Sequence, residues 1–193
     1  MSSAATPLNR LATLADLLAL PEEGRGFELV DGQLVEKHAG GRHSHAQGTV
    51  SGVLHPYRRR GGDSPGGWWI LTEQLVQFGA HTLRPDVAGW RRERLPQMPS
   101  LQEDAVLTLP PDWTCEILSP GNARNDLVRK KRIYHQHQVP HYWIIDPRDE
   151  TLTVHRWSEA GYTEILAAQA GDVVRAEPFA QAEISVAELF TDA

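Results

Sequence analysis

Pro111-Asp112-Trp113-Thr114-Cys115-Glu116-Ile117-Leu118-Ser119-Pro120 is the stretch on which the reading of the fold turns. Trp113 to Leu118 is a short, nearly all-apolar run holding one acid, the pattern of a central strand buried on both faces. A buried carboxylate is expensive unless paired, so Glu116 needs a partner: a metal, a basic group or a cap. Ser119-Pro120-Gly121-Asn122 then turns the chain into a helix expected from about Arg124 to Gln138. His141 to Asp146 and Thr151 to Trp157 read as two further strands around a turn at Pro147 to Glu150. The order strand, helix, strand predicts an α/β protein with a mixed β-sheet flanked by helices.

Working outward, Arg84 to Trp90 reads as a strand entered through Pro85, and Trp68 to Phe78, rich in aromatic and branched residues, as one long strand. The proline-containing segment 91–111 between them and the central run is expected to be a long surface loop. Further upstream, Asp31-Gly32 separates Phe27-Glu28-Leu29-Val30 from Gln33-Leu34-Val35-Glu36, a strong hairpin signal because both turn residues tolerate positive φ. Thr13 can cap a short helix carrying Leu14, Leu17 and Leu18, and a second helix is expected with Ala46, Val50, Val53, Leu54 and Tyr57 on one side. Beyond the central unit, Tyr162 to Ala167 reads as a strand and Val186 to Phe190 as a last helical turn. One domain over residues 13–190, preceded by a loose tail over 1–12, accounts for the chain.

With 193 residues, 40% of them hydrophobic and 23% charged, the chain can bury one sizeable core and has ordinary globular composition. No apolar run approaches the roughly 20 residues of a membrane span. The single cysteine, Cys115, excludes an internal disulfide and fits a reducing compartment, so a cytoplasmic location is expected. A net charge of −6 argues against a surface devoted to non-specific nucleic-acid binding. Basic clusters exist nonetheless, at Arg58 to Arg60, at Arg91, Arg92 and Arg94, and at Arg129 to Arg132.

Asp86 opens the apolar run Val87-Ala88-Gly89-Trp90, so two acids fall on neighbouring strands. Hard divalent ions favour carboxylate oxygens, which makes Asp86 and Glu116 candidate metal ligands. The plainer reading of Asp86 is a strand-entry acid hydrogen-bonded to a turn. On the following helix Asp126, Lys130 and Tyr134 are spaced four apart and share a face. The long stem of Lys130 could return its ammonium to the carboxylates; alternatively it forms an ordinary surface pair with Asp126.

The central segment with Asp126, Lys130, Tyr134 and Val139-Pro140-His141-Tyr142-Trp143-Ile144-Ile145-Asp146-Pro147 resembles a large bacterial family, the Uma-type family of "putative restriction endonucleases", within the PD-(D/E)XK nuclease superfamily. Phe27 to Gly32 and Arg84-Pro85-Asp86-Val87 are similar to its two upstream motifs, in the expected order. The resemblance implies a restriction-endonuclease-like core. It makes Asp86 the acid of the Pro-Asp motif, Glu116 the second metal-binding acid, Lys130 a migrated catalytic lysine and Glu28 a further member of the site. The superfamily's usual lysine lies two residues after the second acid, where this chain has Leu118. Glu28 is otherwise an exposed hairpin residue, and His43 lies near a histidine common in the family.

The function implied is Mg²⁺-dependent hydrolysis of DNA phosphodiester bonds, with Mn²⁺ as a substitute ion and RNA as the alternative polymer. Asp86 and Glu116 would hold the ion, Lys130 would orient the water or steady developing charge, and Arg84, Arg124 or Arg129 could contact phosphates. A homodimer is expected by analogy with families of this core. A catalytically silent nucleic-acid- or protein-binding module is the competing reading, motivated by Leu118 and the acidic charge. A metal-independent glycosidase using Asp86 and Glu116 as an acid/base pair is the third.

Overall fold

Chain order begins with a five-residue helix whose start is written in its side chains. Thr13 caps helix α1 (Leu14–Leu18) reciprocally with Asp16: the Asp16 N–H donates to Thr13 Oγ1, and Asp16 Oδ2 accepts from the Thr13 N–H at 2.8 Å. The computed structural model describes residues 10–21, 26–37, 39–59, 65–99, 105–119 and 127–191 in full, and the main chain of 123–126. Of the tail expected over residues 1–12, residues 1–9 therefore lie outside the described residues. Its last three residues are held: the Arg10 guanidinium pairs with Asp16, and the Ala12 N–H donates to Gly32 O at 2.7 Å.

Strands β1 (Phe27–Val30) and β2 (Gln33–Glu36) form the hairpin that Asp31-Gly32 predicts, with φ of 50° and 71° at the two turn residues. Helix α2 (Gly41–Val53) and helix α3 (His55–Arg58) replace the single helix expected there, because Pro56 lacks an N–H and sits in the first turn of a new helix. Strands β3 (Trp68–Thr72) and β4 (Val76–Phe78) correct the expectation of one long strand. Glu73 between them adopts φ of 54°, which ends one pairing and sends the chain into a second sheet. Strand β5 (His81–Leu83) pairs back on β4, and Arg84-Pro85-Asp86 is a corner leading to strand β6 (Val87–Arg91), so the strand expected over 84–90 starts three residues late. Residues 92–99 and 105–112 hold no helix or extended strand, as expected of the loop.

The central run becomes strand β7 (Trp113–Ile117), followed by helix α4 (Ala123–Gln136) and strand β8 (His141–Asp146). β7 and β8 are parallel, which requires a crossover, and α4 provides it. Strands β9 (Thr151–Ser158) and β10 (Gly161–Gln169) extend the sheet in antiparallel fashion. Strands β11 (Val173–Val174) and β12 (Ile184–Ser185) form a small ribbon, and the last helical turn is a 3₁₀ turn at Ala187–Leu189.

The main sheet is mixed, six-stranded, in the order β10-β9-β8-β7-β6-β3, and a four-stranded antiparallel sheet runs β2-β1-β5-β4. Each face of the main sheet builds a core. On one, Val87, Trp113, Cys115, Ile117, Trp143 and Ile145 pack with residues of α2 and the C-terminal segment. On the other, Ala88, Trp90, Tyr142 and Ile144 pack with Ile133 and Tyr134 of α4 and with Val30, Phe78 and Leu83 of the second sheet. The architecture is α/β, a mixed sheet flanked by helices. Among the described residues, no helix is long and apolar enough to cross a membrane.

Candidate active site

β6 and β7 are antiparallel with Val87 opposite Cys115. One step further along that register sets Asp86 against Glu116, and opposed residues project to the same face. Asp86 is 1% exposed. Its Oδ2 accepts from the Ile117 N–H at 2.6 Å, so the strand-entry bond of the plainer reading is present. Its Oδ1 lies 2.7 Å from Lys37 Nζ and 3.1 Å from His43 Nε2, which a turn-capping acid does not require.

Glu116 is held from α4. Lys130 Nζ donates to its Oε2 at 3.1 Å, and the Tyr134 hydroxyl donates to Oε1. These helix residues, one turn apart, thus grip both oxygens of one carboxylate. Lys130 Nζ also lies 3.0 Å from Glu28 Oε2, while Glu28 Oε1 accepts from the Arg84 N–H at 2.7 Å. Glu28 is fully buried, which corrects its reading as an exposed hairpin residue: it alternates with Leu29 and faces inward with Val30. Lys130 is buried too, against the surface-pair reading; the Asp126 side chain lies outside the described residues.

The second half of the cluster carried no signal in the sequence. Lys37, just past β2, also reaches Glu73 Oε2 at 3.0 Å and Arg84 O at 2.6 Å. Gln47 Nε2 donates to Glu73 Oε1 at 2.9 Å and to Asp86 O at 2.8 Å. His43 and Gln47, four apart on α2, both meet Asp86. Tyr134 was findable through its spacing from Lys130; Lys37, Glu73 and Gln47 come together only through the corner at Arg84-Pro85-Asp86.

Charge governs the chemistry here. Glu28, Asp86 and Glu116, three buried carboxylates, face the ammoniums of Lys37 and Lys130. Burial raises the Asp86 carboxyl, but the Lys37 charge and the His43 hydrogen bond more than offset this and hold it well below the usual range. For Glu116 the balance reverses. Burial is the largest cause, Lys130 opposes it, Asp86 adds to it, and the carboxyl is pushed up to about 8. Three buried carboxylates beside two ammoniums thus favour the neutral form of Glu116.

Cys115 points to the opposite core, as the alternation of β7 requires, and burial pushes its thiol up, which leaves it no nucleophile. Arg84 donates to Glu73 O as part of the frame, Arg129 is exposed on α4, and the Arg124 side chain lies outside the described residues. His45 meets Glu188 O; His135 and His137 meet main-chain carbonyls near the end of α4, and His141 meets Glu177, all away from the cluster.

Among the described residues, no three His, Cys, Asp or Glu side chains converge as ligands around one point. A Mg²⁺-sized ion does not need them to, since it binds through one or two carboxylates and completes its shell with water and phosphate oxygens. The carboxylates of Asp86 and Glu116, hard-oxygen donors on one face of the sheet, are of the type such an ion takes.

A family model described as "Putative restriction endonuclease" (Uma2) matches residues 14–187. Among solved structures, the crystal structure of "a putative nuclease belonging to DUF820" from Anabaena variabilis ATCC 29413 is similar to this chain, with a TM-score of 0.69 and 26% identity over 92% of this chain and 97% of that one. No curated protein matches.

Proposed function

The chain belongs to the Uma2 family of "putative restriction endonucleases", and from that premise we propose that it is a Mg²⁺-dependent endonuclease that hydrolyses phosphodiester bonds of DNA. The family and the similar solved structure support nuclease chemistry in general. The observation that carries the finer reading is the buried pair Asp86, just before β6, and Glu116 on β7, on one face of the sheet with more carboxylates than ammoniums around it.

Asp86 Oδ1 and the Glu116 carboxylate are the oxygens that would hold the ion. The chemistry a bound Mg²⁺ supplies is a lowered water pKa and neutralisation of charge on the phosphate. The protein's own residues set up the rest. The Ile117 N–H and His43 orient Asp86, and Tyr134 and Lys130 orient Glu116, so both carboxylates are fixed before an ion arrives. Glu28 balances Lys130 from its other side.

A plasmid-nicking assay tests this. Supercoiled DNA should be nicked with Mg²⁺ or Mn²⁺, protected by EDTA, and untouched by Glu116→Ala. A well-folded protein that cuts neither DNA nor RNA with either ion contradicts it. Leu118, standing where the superfamily's lysine usually lies, favours a second reading: a binding module that has lost turnover. That reading predicts tight DNA or protein binding, unchanged in Lys130→Ala, with no hydrolysis.

A further inference from the structure

The two lysines of the cluster sit in different surroundings. Lys130 has a side chain 3% exposed, and its ammonium lies between two buried carboxylates, Glu28 and Glu116. Withdrawing it would leave Glu28 and Glu116 buried without their shared ammonium, a large penalty. Lys37 has a side chain 15% exposed and shares its ammonium among Asp86 Oδ1, Arg84 O and the half-exposed Glu73, whose side chain is 38% exposed. Lys37 is therefore the less enclosed of the two lysines, and it holds the very oxygen of Asp86 that a cation would use.

We propose that Lys37, and not Lys130, is the lysine that meets the scissile phosphate, an inference that rests on the nuclease reading of the site. A cation on Asp86 Oδ1 and an ammonium 2.7 Å from the same oxygen repel one another strongly in a buried setting. The flexible four-carbon stem lets the Lys37 ammonium leave Asp86, while Glu73 and Arg84 O keep it beside the pocket. There it is the more exposed of the two ammonium side chains, 15% against 3%, while Lys130 and Tyr134 occupy both oxygens of Glu116. A point charge so placed stabilises negative charge developing on the phosphate oxygens. Leu118, apolar where the superfamily's lysine usually lies, leaves that position to a residue from elsewhere in the chain.

The test compares wild type with Lys37→Met and Lys37→Arg, each shown folded by thermal melting. Mn²⁺ affinity is measured by calorimetry, and turnover on supercoiled plasmid is measured at saturating metal. Lys37→Met should bind Mn²⁺ at least several-fold more tightly, since the competing ammonium is gone, yet turn over about 10²-fold more slowly. A lysine with a merely structural role would lower both. Lys37→Arg, which keeps the charge, should recover part of the turnover and none of the gain in affinity. Should Lys37→Met fail to fold, Lys37→Gln, which keeps a hydrogen-bond donor, is judged by the same two readings. An active wild type beside an equally active Lys37→Met, or a folded Lys37→Met whose Mn²⁺ affinity is unchanged or weaker, overturns the role of Lys37 alone. A wild type that binds Mn²⁺ but cleaves nothing overturns the nuclease reading instead.

Discussion

The two faces of β7 are equally dry and chemically opposite. Towards α2 and the C-terminal segment, Trp113, Cys115 and Ile117 join Trp143, Ile145 and Phe179 in an apolar core, with the Phe179 ring 5.0 Å from Trp113 and 5.8 Å from Trp143. Towards α4, Glu116 joins Asp86, Glu28 and Lys130, each of them at most 5% exposed. Burial alone therefore does not separate the structural face from the candidate functional one. What separates them is charge: the apolar face holds none, whereas the polar face holds more carboxylates than ammoniums, and burial there pushes the Glu116 carboxyl up.

The largest expected effect contrasts two adjacent residues of the same strand. Glu116→Ala should lower the rate of DNA cleavage by about 10²–10³-fold or more, since it removes a group fixed before reaction where charge develops. Cys115→Ala, one residue away on the other face, should leave the rate near that of wild type. Equal losses in the two variants, read in a nicking assay, would erase the distinction between the faces. Next comes Lys130→Met, which leaves Glu28 buried without its ammonium and should cost about 3–5 kcal/mol in urea unfolding. Adding Glu28→Gln to it should recover part of that loss; no recovery would mean that the Lys130–Glu28 contact does not carry the balance described.

How much of this was legible in the sequence differs between the same two faces. The apolar face follows from periodicity: Trp113 to Leu118 announces a buried strand, and alternation along it sends Cys115 away from Glu116. The hairpin at Asp31-Gly32 and helix α4 were readable for similarly local reasons, and so was the pairing of Asp86 with Glu116, through the motifs that surround them. The split of residues 68–78 was not, because Glu73 adopts positive φ without being a glycine or asparagine. Lys37, Gln47 and Glu73 were not gathered, and His43 was pointed to only by the resemblance. They come from three separate parts of the chain and meet only where the corner before β6 delivers Asp86 to them, and no local pattern encodes such a meeting.

Smaller effects sharpen the contrast further. Ile145→Val on the apolar face should cost about 1 kcal/mol by removing a buried methylene, with metal affinity unchanged in calorimetry. The last is a pH signature confined to the polar face. Glu116 has its folded pKa pushed up to about 8 from an ordinary 4.5, so its contribution to stability is complete below 4.5 and is lost as pH rises through 8. Across that window the unfolded chain has released the proton that the metal-free fold still holds. With EDTA present, stability measured by urea unfolding should carry a downward slope between those values that Glu116→Gln removes. An unchanged slope in the variant would mean that Glu116 is already ionised at neutral pH.

The central claim is that Asp86 and Glu116 share one divalent ion, and anomalous diffraction from a Mn²⁺-soaked crystal tests it most directly. A single strong peak within ligand distance of oxygens from both side chains is the predicted result. A peak elsewhere, or none beside this pair in an otherwise well-ordered crystal, would contradict it.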